Sequence, residues 1–165
     1  MKTLLAAFIS VVMLGAGCSN AQNSSSQTNP TGNAPTQQVP VSGKTLDLSG
    51  RGLTSIPMDV FSRTDLQQLD LSNNRLTGAP QSQIGQLKNL KSLDLSGNQL
   101  TGLPAELGQL NKLETLNVAN NKLTGLPNEL GNLTQLRIFD ITGNPYSAQD
   151  LDGIASKLIN TEIRR

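Results

Sequence analysis

The side chains able to do chemistry in this 165-residue chain are few. There is no histidine, and Cys18 is the only cysteine. Without imidazole there is no Ser-His-Asp or Cys-His couple to activate a nucleophile, and the commonest metal ligand is missing. The phosphate-cradling patterns GxxxxGK[ST] and GxGxxG do not occur. Carboxylates remain. Asp47, Asp70, Asp94 and Asp140 recur, with Asn117, at steps of 23 or 24 residues. A carboxylic acid acts as a general acid only where its surroundings raise its pKa, which requires a cleft. Evenly spaced aspartates on a repeating surface offer no cleft. The expectation is therefore no enzyme, with no catalytic residue, no bound metal and no cofactor. A hydrolase working with paired carboxylates is the remote alternative.

The spacing belongs to a whole block, clearest in Leu90-Lys-Ser-Leu93-Asp-Leu95-Ser-Gly-Asn98-Gln-Leu100-Thr-Gly-Leu103-Pro104. Its central apolar residue falls at Leu46, Leu69, Leu93, Leu116 and Phe139, at steps of 23, 24, 23 and 23. Leu93-Asp94-Leu95 alternates apolar and polar, the period of a strand. Five such strands lie side by side as a parallel sheet at a spacing of about 4.8 Å. One block cannot bury its own apolar face, but stacked blocks can.

After each strand the chain must turn away and leave backbone groups unpaired. Asn74, Asn98, Asn121 and Asn144 stand at that point, and a buried amide column can donate to and accept from those groups. Leu76, Leu100 and Leu123 then return to the core. Pro80, Pro104 and Pro127 are expected to stop any helix and favour an extended return path. Gly85, Gly108 and Gly131 precede the inward Leu87, Leu110 and Leu133. Beyond Tyr146 the repeat stops. Leu151, Ile154, Leu158 and Ile159 fall on one helical face, with Ser147 as N-cap and Asp150 in the first turn, so residues 147–165 are expected to be a capping helix and tail.

The blocks match LxxLxLxxNxLTxLP, with close copies starting at Leu66, Leu90 and Leu113. From about Thr45 to Tyr146 the chain resembles the leucine-rich-repeat family. The end copies depart from the pattern: Arg51 replaces the asparagine of the first, and Phe139, Ile141 and Pro145 mark the last. The resemblance implies an α/β repeat fold: a solenoid of about five 23–24-residue repeats, a parallel sheet on the concave face and a short C-terminal capping helix. It also implies that this face binds another protein. The outward columns are Asp47, Asp70, Asp94, Asn117, Asp140; then Ser49, Ser72, Ser96, Ala119, Thr142; then Thr45, Gln68, Ser92, Thr115, Ile138. The candidate binding residues are the first column with Ser72, Ser96, Gln68, Ser92 and Thr115. None is a Trp, Tyr or Arg, the usual interface anchors, so a soluble face without a ligand is the competing reading. A net charge of +1 and the lack of tryptophan, with one tyrosine and three phenylalanines, argue against nucleic acid. The expected state is a monomer.

The front of the chain reads as an address. Thr3 to Gly17 is uncharged and mostly apolar, follows Met1-Lys2, and is too short to span a bilayer, which needs about 20 residues. Leu14-Gly15-Ala16-Gly17-Cys18 resembles the lipobox of bacterial lipoproteins, although Leu14 stands four residues before the cysteine where the family places it three before. That resemblance implies cleavage after residue 17, lipidation of Cys18 and membrane attachment in the cell envelope. In the Gram-negative lipoproteins that this segment resembles, a serine such as Ser19 after the cysteine favours the outer membrane. Residues 19–43 carry no charge, and 21 of the 25 are Ser, Asn, Gln, Thr, Pro or Gly. Such a segment cannot bury enough apolar surface to offset its ordering entropy. The expected organisation is a signal peptide 1–17, a lipidated cysteine and disordered tether 18–43, the solenoid 44–146 and the cap 147–165. A spacer lipoprotein with no dedicated ligand stands beside the binding reading.

Overall fold

The computed structural model describes residues 44–165; the expected signal peptide, Cys18 and the tether lie outside the described residues. In chain order the strands are β1 (Thr45–Asp47), β2 (Gln68–Asp70), β3 (Thr77–Gly78), β4 (Ser92–Asp94), β5 (Gln99–Leu100), β6 (Thr115–Asn117), β7 (Ile138–Asp140) and, after helix α1 (Ala148–Ala155), β8 (Glu162–Arg164). A six-stranded parallel sheet runs β1-β2-β4-β6-β7-β8, and β3 and β5 form a small parallel pair beside it. The register aligns Leu46, Leu69, Leu93, Leu116, Phe139 and Ile163 across the main sheet. All but Ile163 are buried, and they join the later leucines of each repeat in one continuous core.

The return paths differ from the extended segments expected from the prolines. Each carries a five-residue 3-10 helix: Met58–Ser62, Ser82–Gln86, Ala105–Gln109 and Asn128–Asn132. Pro57, Pro104 and Pro127 stand immediately before three of them, with φ of −59°, −73° and −69°. The prolines start these turns instead of preventing them. The first N–H groups of a helix have no internal acceptor, so a residue without an N–H loses nothing there.

The glycine column lets these helices pack backbone to backbone. A Cβ added at Gly108 would overlap the carbonyl group of Glu129, and one at Gly85 would sit 2.9 Å from the Glu106 oxygen. In the first repeat this slot holds Phe61, which is buried. The 24-residue step follows it. Aligned on Pro80 and Pro104, the extra residue is Gln81, which caps the second 3-10 helix in place of a proline. Its Nε2 donates to the Ile56 carbonyl at 3.1 Å. The first two 3-10 helices touch far less than the later ones do, leaving room for the phenyl ring.

At the C-terminal end, Ser147 Oγ accepts from the Asp150 N–H at 3.4 Å and opens α1. Leu151, Ile154 and Leu158 are buried, but Ile159 is 83% exposed. The helix ends at Ala155 and the chain turns, so helical spacing no longer governs Ile159. The expected tail instead adds a sixth strand. Glu162 N–H donates to the Arg137 carbonyl at 2.8 Å, and Ile141 N–H to the Arg164 carbonyl at 2.9 Å.

Candidate binding face and its asparagine spine

Turning the chain out of each strand leaves carbonyls and N–H groups that the sheet does not use. Asn98 takes up four of them. Its Nδ2 donates to the carbonyls of Leu71 (3.0 Å), Leu95 (2.9 Å) and Ser96 (3.2 Å), and its Oδ1 accepts from the Leu76 N–H (3.1 Å). Asn74 and Asn121 repeat this set, and all three are 7% exposed. Asn144 makes the same bonds in a half-buried setting. Each amide spans two repeats, so the column ties neighbours together. Arg51 stands in this slot in the first repeat, and its N–H and that of Leu53 donate to Asn74 Oδ1, each at 3.0 Å.

The aspartate column has a local job that is independent of any ligand. Asp47 Oδ1 accepts from the Ser49 N–H (2.9 Å) and hydroxyl (2.7 Å). Asp94 Oδ1 accepts from the Ser96 N–H (2.8 Å) and hydroxyl (2.6 Å). Asp70 Oδ1 and Asp140 Oδ1 accept from the N–H groups of Ser72 and Thr142, at 2.8 and 3.0 Å. Asn117 Oδ1 does the same for Ala119 at 3.1 Å. These are Asx turns, in which a short polar side chain mimics a backbone turn. Asn117 also donates from Nδ2 to Asp94 Oδ2 at 2.9 Å, bridging two rungs where a fifth aspartate would repel its neighbour. The Ser49 hydroxyl, and then its N–H, hold the Asp47 carboxyl below the ordinary carboxylate range. The column ends on β8 with Arg164, level with Asp140; its hydrogen bond to Glu162, and then that carboxylate's charge, raise its pKa.

Of the other candidate residues, Gln68 is exposed, and Ser92, Thr115 and Ser96 are half-buried on the same face. Ser72 departs from its expected outward position: it is 7% exposed. Asn73 is the cause, since its Nδ2 folds back to donate to Ser72 Oγ at 3.3 Å. A further column escaped the residue-by-residue reading. Gly50, Asn73, Gly97, Asn120 and Gly143 all have φ between 55° and 73°, the left-handed turn that precedes each spine position. The signal was present as an alternation of glycine and asparagine in one slot, the two residue types that tolerate this conformation. The alternation has a steric reason: a Cβ at Gly97 would stand 2.6 Å from Asn73 Oδ1, and one at Gly143 equally close to Asn120 Oδ1.

Among the described residues, no group of His, Cys, Asp and Glu could hold a metal ion, and no helix is long and apolar enough to cross a membrane. An open groove of about 410 Å³ lies between the second and third 3-10 helices, lined by Ser82, Gln83, Gly85, Gln86, Lys88, Glu106 and Gln109.

No curated protein matches this chain in sequence. Among solved structures, a leucine-rich-repeat protein of Leptospira interrogans is 41% identical, with a TM-score of 0.70, over 74% of this chain and 31% of its own. The BIR3–SERK2 complex of Arabidopsis thaliana contains a chain 39% identical, TM-score 0.57, matched over 62% of this chain and 57% of its own. An internalin of Listeria monocytogenes is 26% identical, TM-score 0.59, over 67% of this chain and 31% of its own. This chain thus spans about a third of the length of the Leptospira protein. The leucine rich repeat family model matches residues 44–100, 64–118 and 88–145. With the register of its strands and its buried asparagine spine, that coverage places the chain in the leucine-rich-repeat family.

Proposed function

We propose that this chain is a non-catalytic lipoprotein of the bacterial cell envelope, attached through Cys18 and favouring the outer membrane, that recognises another protein through the open face of its sheet. The observation that carries the recognition half is the fixed geometry of the aspartate column. One oxygen of each carboxylate is held by an Asx turn, so the other is aimed without further loss of rotamer entropy, although at Asp94 it already accepts from Asn117 Nδ2. A row of prepositioned acceptors fits a partner that presents Lys, Arg or N–H groups. The similar chain in the BIR3–SERK2 complex comes from an assembly of two proteins, which supports a protein partner here. The envelope half rests on the apolar segment ahead of Cys18 and the uncharged residues 19–43.

Asp70→Asn with Asp94→Asn tests the face. Asparagine keeps the turn, as Asn117 shows, and the one bond given up is that from Asn117 Nδ2 to Asp94 Oδ2, so stability should fall by no more than about 1 kcal/mol. Capture of a partner from envelope extract should weaken in the double variant and with rising salt, since exposed charges are screened beyond about 8–10 Å. The control pair is Lys88→Gln with Lys91→Gln, two exposed lysines placed before β4. Loss of capture in the lysine variant alone would move recognition off this face. For the anchor, Cys18→Ser should release the protein from the membrane fraction, and an unmodified mature N-terminus elsewhere would refute lipidation.

A second reading, a spacer lipoprotein without a ligand, is favoured by the same bonds: the turns account for every aspartate of the column internally. Failure of both variants to alter any capture would favour the spacer.

A further inference from the structure

The two outermost strands of the main sheet differ in what they offer a second chain. β8 pairs with β7, and no described strand lies on its other side. The Glu162 N–H and the Arg164 carbonyl turn toward β7, where they bond to the Arg137 carbonyl and the Ile141 N–H. Backbone groups of successive residues in a strand point to opposite sides, so the N–H and C=O of Ile163 point outward. No strand among the described residues meets them. Ile163 is also the last member of the core row that begins at Leu46. It is only half-buried, whereas Phe139, one strand further in, is fully covered.

A second observation concerns the side chains on either side of Ile163. Successive side chains of a strand alternate between faces, so Glu162 and Arg164 share the face that carries the aspartate column. Arg164 Nε donates to Glu162 Oε1 at 2.8 Å, and the two side chains stay 49% and 61% exposed. That bond occupies one of the five N–H donors of the guanidinium. The others are at hand for a further carboxylate.

We propose that the open edge of β8 pairs with β8 of a second copy of this chain, antiparallel about a two-fold axis at Ile163. Ile163 of each copy then exchanges N–H···O bonds with the partner's Ile163. Glu162 of each copy stands opposite the partner's Arg164, with Cβ atoms about 4.5–5.5 Å apart. Charge complementarity singles out this occupant. Glu-Ile-Arg turned end for end meets itself with every charge matched, which a self-complementary two-fold contact requires. The other edge strand has no such property: β1 turned about Leu46 sets Asp47 opposite Thr45. A parallel contact of β8 with the next copy's β1 matches Arg164 to Asp47 alone and leaves Glu162 beside Thr45. The antiparallel pair matches both charges, twice over. It also joins the two open faces side by side and covers the bare flank of each Ile163. Dimerisation takes the place of the monomer expected from the sequence.

Analytical ultracentrifugation of the full chain carrying Cys18→Ser reads the pairing without a thiol or an acyl group taking part. One short strand makes a small interface, so the equilibrium should appear between about 10 μM and 1 mM. The species should be monomer and dimer only, because a two-fold contact closes on itself. Glu162→Arg sets like charge against the partner's Arg164, and Arg164→Glu does so against the partner's Glu162. Each should weaken the dimer at least about tenfold. Mixed in equal amounts, the two variants should pair with each other as well as the parent pairs with itself, since every cross-strand pair is then opposite in charge. Within each variant, positions 162 and 164 still carry like charges, so the recovery cannot come from a mended intrachain pair. A parent chain that stays monomeric over the whole range would overturn the proposal. So would a mixture no more dimeric than its components. Assemblies that grow past two with concentration would overturn it as well, and would assign the contact to β8 against the β1 edge of the next copy.

Discussion

The junction between the first and second repeats and the junction between the third and fourth solve the same packing problem in opposite ways. Deeper in the stack, Gly108 lets the next 3-10 helix approach until its Cα hydrogens face the backbone of Glu129. At the first junction the facing slot is filled by Phe61, the two helices stand apart, and the second repeat is one residue longer. The strand register is untouched, because the additional Gln81 is absorbed after Pro80 and before the helix. A ring on one repeat and a residue of extra length on the next therefore form a matched pair. Repeat length in this molecule answers the side chain packed beneath it.

The largest effect is expected where a whole layer is laid bare. Removing residues 147–165 uncovers Phe139 and Ile141, and the truncated protein should aggregate or melt far below the intact one in scanning calorimetry. An unchanged, monomeric melt would show that α1 and β8 are not a cap.

The matched pair comes next. Phe61→Gly alone should cost about 3–5 kcal/mol through the cavity it leaves. Deleting Gln81 alone should drive the second helix onto the ring at a cost of about 1–3 kcal/mol or more. Combining them rebuilds the inner type of junction, and denaturant melts should show a double variant more stable than the sum of its parts implies. Strict additivity would break the link drawn between the two positions.

The spine should respond less, and unequally along its length. Asn98→Ala removes four hydrogen bonds and leaves the buried Leu76 N–H without its acceptor, and should cost about 1–3 kcal/mol, with a smaller loss for the half-buried Asn144. Asn111, exposed in a return segment, should cost under about 0.5 kcal/mol. Equal losses at Asn98 and Asn111 would contradict the assigned register.

The smallest contrast concerns the left-handed turns. Gly50→Ala meets no neighbour and should cost only about 1 kcal/mol of backbone strain. Gly97→Ala adds the collision with Asn73 Oδ1 and should cost more, with the difference recovered by Asn73→Gly.

Much of this was legible before any coordinates. Leu46, Leu69, Leu93, Leu116 and Phe139 lie in one register row, as their spacing requires, because period and burial are both written in side-chain type. Ser147 was recognisable as a helix cap because its role is local. What stayed hidden depends on neighbours distant in sequence. The 3-10 helices are five residues long, too short to show a period, and the prolines before them favour either outcome. Glu162-Ile-Arg164 looks like a charged tail until the open edge of β7 supplies its hydrogen bonds. Ser72 is covered by the particular asparagine that follows it, and Gly97 in the equivalent place leaves Ser96 half-exposed. For the candidate face, the row of aspartates could be read in the sequence. The commitment of one oxygen in each to its own turn could not.

The asparagine lying over the next repeat's glycine gives the array a grammar. A repeat that carries Asn73 or Asn120 in its left-handed turn favours glycine in the next, since a Cβ there would push the amide oxygen from its place. A repeat that carries glycine imposes no such demand on its successor. Copying the block around Asn73 once would set two asparagines in succession and force the first amide to turn away, whereas copying it together with the Gly97 block would not. Lengthening this solenoid by duplication is therefore smooth only in units that end on glycine, and the shortest such unit that retains an asparagine is a pair of repeats.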